Sequence, residues 1–282
     1  MEIAKKDNSF GYSLLLFIYK ILGYKSVKFI LNFVALYYVI FAKKVKKDLK
    51  SFYDVQNIEL TNIIFFKHIK SFAVSLLDRF VSRINPEEFK YNGINQEYLD
   101  IFNESGGLLL LSHFGGWASS THNLSTKNIP PMNAVMEDQA NENMKEVENN
   151  AKDNSKQNVK IIDVNQGSLS TNIQIANALI NNEIVAMMAD RVVDSKRTLK
   201  VDFFGKSVSI NKDPFDIAKR LNKPIVVVHT INKGSKNYDA YYFKLNSKEQ
   251  SIEDLSQQYM SILEKIVKKD PQQWYNFYDY FI

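Results

Sequence analysis

From about residue 98 the sequence alternates short apolar runs with stretches of helical pattern. The strand candidates are residues 106–113, 133–138, 159–164, 183–191, 223–231 and 239–246, with a hairpin-like loop at residues 201–210. The helix candidates are residues 141–154, a segment capped by Ser168 or Ser170 and ending near Asn182, a segment starting at Asp213-Pro214, and residues 252–269. Strands that alternate with helices predict an α/β fold: a single domain with a largely parallel central sheet flanked by helices.

A strongly apolar segment, residues 10–42, precedes this region, and lysines interrupt it at Lys20, Lys25 and Lys28. Neither half reaches the roughly 18–20 uninterrupted apolar residues of a spanning helix, and no small-residue cleavage site of a signal peptide follows. The basic run KKVKKDLK comes next, at residues 43–50. We therefore predict a helix that associates with an anionic membrane surface. Two buried helices with a solvated charge run, or a single tilted span with its basic end in the cytoplasm, are the alternatives.

The helical pattern continues over residues 46–84, and Asn85-Pro86 ends it. No linker, repeat or low-complexity segment separates it from the residues that follow. A chain of 282 residues with 45% hydrophobic composition is long enough to bury one sizeable core. We therefore predict that residues 1–85 are a helical, membrane-associating extension and that residues 86–282 are an α/β domain, the two packed as one unit.

Composition excludes several kinds of chemistry. The chain has no cysteine, so disulfides, thiolate zinc sites and a cysteine nucleophile are ruled out. It also lacks the G-x-S-x-G elbow of serine hydrolases and the G-x-G-x-x-G loop of dinucleotide-binding proteins. No metal-ligand spacing occurs, so neither a metal nor a cofactor is predicted. The 36 basic residues against 31 acidic ones give only a modest net charge of +5. Because the basic residues do not interleave with aromatics along a groove, nucleic acid is not a predicted partner.

Two titratable residues fall at the carboxyl ends of strand candidates, where parallel sheets gather their reactive groups. His113 closes the apolar run LLLL-S and is followed by Gly115-Gly116, and Asp190 ends the run EIVAMMAD. The glycines permit a tight turn and a close approach of a ligand to backbone amides. Without further information, a histidine in such a place is structural about as often as it is functional.

The other three histidines have simpler interpretations. His68 lies between lysines on a helix and is predicted to be a surface residue. His229 lies within a strand candidate and is predicted to be a core or rim histidine with its hydrogen bonds satisfied. His122, nine positions after His113, is expected to neighbour it across a helix.

Four blocks of sequence resemble the lysophospholipid acyltransferase superfamily, in particular its bacterial lipid A late-acyltransferase (lauroyl/myristoyl acyltransferase-like) branch. The blocks are SHFGGW, VAMMADR followed by VDFFGKSVSI, NKPIVVV, and DPQQWYNFYDYF. They occur in the order of that family, and the resemblance runs from about residue 10 to the end of the sequence. The apolar N-terminal segment with its basic run also resembles that branch.

The resemblance implies transfer of a fatty acyl chain from a thioester to a hydroxyl of a lipid or glycolipid. The donor would be an acyl-acyl carrier protein or acyl-CoA, and the acceptor would be a lipid at the cytoplasmic face of the inner membrane. An alcohol is a poor nucleophile until a base removes its proton, and imidazole side chains exchange protons near neutral pH. His113 would be this general base, and no covalent enzyme intermediate would form. Asp190 would be its catalytic partner.

The same resemblance implies substrate-binding residues close to this block. The backbone amides of Gly115 and Gly116 would hold the developing oxyanion, beside Trp117. Arg191 or Arg197 would hold phosphate or phosphopantetheine oxygens.

The loop DFFGK supplies a further set of expected substrate contacts. Phe203 and Phe204, with Gly205 after them, would line a groove for the acyl chain. Ordinary core packing of the two phenylalanines is the alternative, and the residues themselves favour neither.

One position departs from the family pattern. In the family, four residues follow the histidine and the next residue is Asp or Glu. In this sequence that next residue is Ala118. Another carboxylate would substitute, either Asp190 or one of residues 137–138. Alternatively, Ser119, Ser120 or a backbone carbonyl orients the ring, or the protein is a catalytically silent member that binds lipid or assembles a complex. If the remaining geometry is intact, Ala118→Glu is expected to raise activity.

Overall fold

The computed structural model describes residues 9–117, 119–120, 124, 129–137, 159–247 and 249–281. Its strands are β1 (Lys90–Ile94), β2 (Gly107–Leu111), β3 (Met132–Met136), β4 (Val159–Asp163), β5 (Ile184–Met188), β6 (Thr198–Phe203), β7 (Lys206–Asn211), β8 (Ile225–Gly234) and β9 (Asn237–Leu245). Its helices with assigned bounds are α1 (Ser9–Phe41), α2 (Lys43–Asp54), α3 (Asn62–Ile84), α4 (Phe102–Ser105), α5 (Ser168–Ile180), α6 (Asp213–Arg220) and α7 (Ile252–Val267). The chain is also helical at Trp117, Ser119 and Ser120.

A central sheet organises the α/β domain, in the strand order β1-β9-β8-β2-β5-β3-β4. Strands β8, β2, β5, β3 and β4 are parallel to one another, and β9 pairs with β8 in the antiparallel sense. β1 is parallel to β9. The predicted α/β class with a largely parallel sheet is therefore confirmed. Because β2 and β5 are neighbours with Leu111 opposite Met188, the residues that follow each strand emerge side by side.

The sheet is covered on both faces. Leu108 and Leu110 belong to one buried cluster, which includes Leu263 of α7, whereas Leu109 and Leu111 belong to a second cluster. Successive residues of a strand point to opposite faces. A strand buried on both faces therefore reads as a continuous apolar run, which explains why the sequence pattern located β2.

The predicted hairpin-like loop is a two-stranded hairpin, β6–β7, separate from the central sheet. Phe204 and Gly205 form its turn, with φ angles of 54° and 71°. Two successive left-handed residues match the right-handed twist of the strands in such hairpins. The inner residue Phe203 is fully buried and packs 5.2 Å from the ring of Trp274.

The helical pattern predicted over residues 46–84 is confirmed in part, because two helices occupy this range and a non-helical segment separates them. α2 ends at Asp54, and α3 begins at Asn62 behind the cap Thr61, whose side chain accepts a hydrogen bond from the Ile64 amide at 3.2 Å. Asn57 between them has a φ of 56°, which a helix does not accommodate. The predicted end of α3 at Asn85-Pro86 is confirmed.

Two further predictions about helices have different outcomes. The expected serine cap before α5 is wrong, since the cap position is Gly167, which has no side chain to cap with, and Ser168 is already the first helical residue. The polar helix predicted at residues 141–154 lies outside the described residues.

The first helix, α1, presents two different faces. Val27, Leu31 and Ala35 are buried, and α1 packs against α3. Large apolar side chains on its other face are exposed: Phe17, Ile21, Leu22, Phe29, Phe33, Leu36, Tyr37, Ile40 and Phe41. In the described part of the chain one helix, Phe17–Phe41, is long and apolar enough to cross a membrane, with 25 residues and a mean hydropathy of 1.3.

Replacing Trp274 should be among the more damaging changes to the fold. The ring is fully buried and lies 4.7 Å from Phe52 and 4.7 Å from Tyr280. We expect Trp274→Ala to lower the free energy of unfolding by about 3–5 kcal/mol, measured by urea denaturation. Leu169, which is 75% exposed, is the control, and Leu169→Ala should change it by less than about 0.5 kcal/mol. Equal effects of the two variants would contradict this packing.

Candidate active site

A histidine and a carboxylate meet at the carboxyl ends of β2 and β5. His113 Nδ1 lies 2.8 Å from Asp190 Oδ1, and the His113 backbone amide donates to Oδ2 at 3.0 Å. One carboxylate therefore holds both the ring and the backbone of His113. The imidazole is 21% exposed, whereas the Asp190 side chain is fully buried. The ring is thus fixed at Nδ1 and remains partly exposed.

The charge state of Asp190 decides which ring nitrogen carries the proton. Burial is the largest influence and by itself raises the pKa of Asp190, but the charge and hydrogen bonds of His113, together with Arg191, outweigh it. The pKa of Asp190 consequently lies below its usual range. An ionised carboxylate only accepts hydrogen bonds, so Nδ1 of His113 must carry the hydrogen. Nε2 then keeps a lone pair, as a general base requires.

The C-terminal segment completes the surroundings of Asp190. Asn276 Nδ2 donates to Asp190 Oδ2 at 3.3 Å, and the Tyr280 hydroxyl donates to the Asp190 carbonyl at 2.5 Å. The Tyr275 amide donates to the His113 carbonyl at 2.7 Å. The sequence resemblance includes this segment as a family block, but no pattern in the sequence indicates that Tyr275, Asn276 and Tyr280 lie at the site.

Two of the alternatives for replacing the family acid at position 118 use another carboxylate or another polar group to orient His113. Among the described residues, Asp190 is the carboxylate that bonds His113 Nδ1. Ala118, His122 and Asp138 lie outside the described residues. Ser119 and Ser120 donate their hydroxyls to backbone carbonyls of the preceding turn instead. The geometry therefore favours substitution by Asp190.

The two glycines after the histidine are already engaged with the protein. The Gly115 amide donates to the Gln273 carbonyl at 2.8 Å, and the Gly116 amide donates to the Thr230 carbonyl at 2.8 Å. A β-carbon on Gly115 would overlap the Thr230 carbonyl, and one on Gly116 would overlap the Tyr238 ring. Close packing therefore explains both glycines. The expectation that their amides hold an oxyanion is not supported, because neither amide is a free donor.

Trp117 and Arg191 lie close to the His113–Asp190 pair. The Trp117 ring centroid is 5.8 Å from that of His113, with the two planes inclined at 60°. Arg191 donates to Asn276 Oδ1 at 2.5 Å and to the Tyr275 carbonyl at 2.7 Å. Trp117 thus forms an aromatic wall beside the imidazole, and Arg191 is held against the C-terminal segment.

Arg197 lies elsewhere and its charge is matched by protein carboxylates. Its guanidinium donates hydrogen bonds to the carboxylates of Asp213 and of Asp216, the second at 3.1 Å. These residues line a groove of about 710 Å³ between α5 and α6, whose floor includes Met187 and Met188 at the end of β5. A contact between Arg197 and phosphate or phosphopantetheine oxygens of the donor would have to compete with both carboxylates.

The residues of the DFFGK loop are not brought to His113. Phe203 is fully buried in the core beside Trp274, which is the core-packing alternative. Phe204 lies at the hairpin turn with the Lys268 ammonium 5.3 Å from its ring. Gly205, next in the turn, has open space around its α-carbon.

The two other histidines that the structure describes, His68 and His229, are buried. The prediction that His68 is a surface residue is wrong: it is fully buried and hydrogen-bonded to the Tyr53 hydroxyl at 2.8 Å. Its neighbouring lysines indicated solvent, but a tyrosine on another helix provides the polar partner. The prediction that His229 lies in the core is confirmed, since it is 2% exposed. The prediction that its hydrogen bonds are satisfied holds for Nδ1 only, which lies 2.9 Å from Ser112 Oγ, because Nε2 is buried without a hydrogen-bond partner among the described residues.

Comparison with known proteins agrees with the sequence resemblance. Residues 8–281 match the family described as bacterial lipid A biosynthesis acyltransferase. The chain belongs to this family. Family membership supports an acyltransferase that acts on a lipid.

Solved and curated proteins add the following. A solved structure, the 1-acyl-sn-glycerophosphate (LPA) acyltransferase of Thermotoga maritima, is 13% identical. It covers 88% of this chain and 100% of its own, with a TM-score of 0.45. No curated protein matches the chain.

Mild acid should destabilise the protein through its buried histidines. Burial lowers the pKa of His229 from 6.5 to about 4 and that of His68 to about 3. The unfolded chain takes up protons below 6.5, and the folded chain does not until these lower values. The free energy of unfolding therefore has its full value above pH 6.5 and decreases as the pH falls towards 4. The decrease is up to about 1.4 kcal/mol per pH unit for each histidine.

Urea denaturation between pH 6.5 and pH 4 measures how steeply the free energy of unfolding depends on pH. His229→Gln, which keeps a polar partner for Ser112, should reduce this pH dependence by about half. Asp190 loses its own stabilisation only as pH falls below its unfolded value of 3.8, outside this window. A slope that His229→Gln leaves unchanged would show that His229 is protonated in the folded protein.

Proposed function

We propose that this protein is a membrane-associated O-acyltransferase in which His113 is the general base and Asp190 positions it. The observation that carries the proposal is the 2.8 Å contact between His113 Nδ1 and Asp190, within the block SHFGGW and at the carboxyl ends of adjacent parallel strands. Family membership supports the reaction class. The geometry supports the roles, since Nδ1 is occupied by Asp190 and the imidazole side chain is 21% exposed.

The reaction proceeds in one transfer without a covalent enzyme intermediate. His113 Nε2 accepts the proton of the acceptor hydroxyl as its oxygen attacks the thioester carbonyl carbon. The tetrahedral intermediate collapses, the C–S bond breaks, and the leaving sulfur takes the proton back from the imidazolium. Asp190 stabilises the imidazolium charge during this cycle, and Trp117 shields one side of the ring from water.

The donor is an acyl-acyl carrier protein or acyl-CoA, and the acceptor is a hydroxyl of a lipid or glycolipid. Both donors are anionic, which suits a chain with a net charge of +5. Arg191, which lies next to Asp190 in sequence, is the arginine better placed for donor oxygens than Arg197. The groove between α5 and α6 has an apolar floor and a charged rim, which suits the tail of an amphipathic substrate.

The membrane contact is made by α1 and the basic run that follows it, on the cytoplasmic face of the inner membrane. The exposed face of α1 carries phenylalanines at 59–65% exposure, including Phe29, Phe33 and Phe41. The opposite face packs on α3. A helix with one face on protein and the other apolar face outward favours lying in the interface over spanning the bilayer.

A second candidate, a catalytically silent lipid-binding or complex-assembly protein, has two supporting observations. Ala118 replaces the family acid, and the amides of Gly115 and Gly116 are not free to bind an oxyanion. This candidate predicts lipid binding without turnover.

Substitutions at the His113–Asp190 pair test the base. Acyl transfer to extracted lipids should be lost in His113→Ala, and Asp190→Asn should lower kcat by about 10³–10⁴-fold, because an amide no longer fixes the tautomer or stabilises the imidazolium. Turnover that His113→Ala leaves unchanged would rule out His113 as the base. Lipid binding with no turnover in the unmodified protein would favour the silent candidate.

The variant Ala118→Glu is the matched test of the partner. The gain that the sequence alone predicts for Ala118→Glu is no longer expected, because Asp190 already occupies Nδ1. Ala118→Glu alone should change kcat by less than about threefold. Combined with Asp190→Asn it should restore part of the lost activity, since it returns the carboxylate that the family pattern has at this sequence position. A large gain from Ala118→Glu alone would mean that Asp190 is not the effective partner.

Charge substitutions test the membrane contact. Replacing the exposed residues Lys43, Lys44 and Lys47 by glutamine should weaken binding to anionic phospholipid vesicles by about 100-fold and reduce its salt dependence, since each cation near the surface contributes about 1 kcal/mol. The charge-matched control replaces Lys200, Lys206 and Lys244, which are exposed in the α/β domain, and should leave binding unchanged. Salt-insensitive binding of the unmodified protein would contradict the predicted contact.

A further inference from the structure

A second buried carboxylate, separate from Asp190, lies in the middle of α3. Asp78 is fully buried. The Tyr24 hydroxyl of α1 donates to its Oδ1 at 2.7 Å, the Tyr238 hydroxyl of β9 donates to its Oδ2, and the Asn232 amide of β8 donates to Oδ2 at 3.4 Å. Burial raises the pKa of Asp78, and the hydrogen bonds from Tyr238 and Tyr24 oppose this rise. One side chain therefore joins the membrane-facing helix to two strands of the sheet.

The Asp78 cluster, defined as Asp78, Tyr24, Tyr238 and Asn232, reaches the turn after His113 by two routes. The Tyr238 ring packs against Gly116 so closely that a β-carbon there would overlap it. The backbone N–H of Asn232, whose side chain bonds Asp78, donates to Gln273 Oε1 at 2.8 Å. The backbone carbonyl of Gln273 accepts from the Gly115 backbone N–H. Both glycines are thus held by partners of the cluster.

The same helix also grips this turn directly. Ser75, about one turn before Asp78 on α3, is 2% exposed and donates its hydroxyl to the Gly115 carbonyl at 2.9 Å. The face of α3 that carries Ser75 and Asp78 therefore forms a wall behind Gly115. Any shift of that face would displace the residues that immediately follow His113.

In the other direction the cluster ends on α1. Tyr24 belongs to the half-buried side of α1, with Val27 and Leu31, in a cluster that also contains Tyr238. The Lys236 ammonium lies 4.2 Å from the Tyr24 ring and adds a second polar contact to the same residue. The neighbouring residues Ile21 and Leu22 are about three-fifths exposed on the apolar outer surface. The Asp78 carboxylate thus contributes both to the packing of α1 on the protein and to the position of the turn after His113.

We infer that Asp78 is a positioning residue that couples the seating of α1 to the turn following His113, so that the base is correctly aimed only while α1 is docked. The inference rests on the proposed function, in which His113 acts as the base. Asp78 does not touch His113 or a substrate, and acts through Tyr238 and Gly116. A misplacement of about 1 Å at a catalytic group costs on the order of 100-fold in rate, so partial loosening of this turn has a measurable effect.

Single hydroxyl deletions test the coupling. Tyr24→Phe and Tyr238→Phe keep each ring and remove one hydrogen bond to Asp78. We expect each to raise amide hydrogen exchange in peptides covering residues 112–117 and to lower kcat by about tenfold, with KM changed by less than about twofold. The effect falls on kcat because the binding surface is unchanged while the aim of the base is not.

Tyr19→Phe is the control, on the part of α1 that precedes the non-helical residue Gly23 (φ 74°), whereas Tyr24 follows that residue. The Tyr19 hydroxyl accepts from the Asn85 amide at 2.5 Å, so it anchors α1 to the end of α3 without contact to Asp78. It should change neither the exchange of residues 112–117 nor kcat. If Tyr19→Phe acts as strongly as Tyr24→Phe, or if both cluster variants leave the exchange unchanged, the coupling through Asp78 is wrong.

The exchange measurement separates this inference from the proposed function. If His113→Ala stays active, the proposed base is wrong, and the exchange data still decide whether the Asp78 cluster holds the turn. If His113→Ala is inactive and the cluster variants leave both kcat and amide exchange unchanged, the proposed role of His113 as the base is supported and the inferred coupling through Asp78 is wrong. Asp78→Asn is the confirming variant, expected to combine the effects of both tyrosine changes.

Discussion

The arrangement of the site depends on one buried carboxylate, that of Asp190. A carboxylate without partners in the interior costs several kcal/mol, and here its oxygens accept from the His113 amide and ring and from Asn276. These donors come from the residue pair that follows β2 and from the C-terminal segment, and the charge and hydrogen bonds of His113, with Arg191, keep the pKa of the carboxylate low. The same contacts fix the tautomer of His113. Structure and the chemistry proposed for the ring therefore have a common origin.

Much of the α/β domain could be predicted from the sequence. The apolar runs around residues 106–113 and 183–191 located β2 and β5 because strands buried on both faces leave an uninterrupted apolar signal. The prediction that His113 and Asp190 end strands followed directly. That these two strands are neighbours did not follow, since the order β8-β2-β5-β3 is set by long-range packing. The contacts of Asn276 and Tyr280 escaped prediction for the same reason.

Local patterns misled where a distant partner changed their meaning. His68 between lysines indicates solvent, yet Tyr53 provides a buried hydrogen bond. Gly115 and Gly116 indicate a backbone left open for a ligand, yet Thr230 and Tyr238 occupy the space that a side chain would need. A glycine is selected either for its backbone freedom or for its small size, and only the neighbours in three dimensions show which applies.

The contacts of Asp190 span a long stretch of chain, 77 residues to His113 and 86 to Asn276. Because synthesis proceeds from the N-terminus, α1 leaves the ribosome long before the partners of Asp190 exist. In the proposed function, a nascent chain would therefore expose its membrane-contacting helix before the His113–Asp190 pair has assembled. The order of biosynthesis would place the proposed membrane contact first and the proposed proton transfer last.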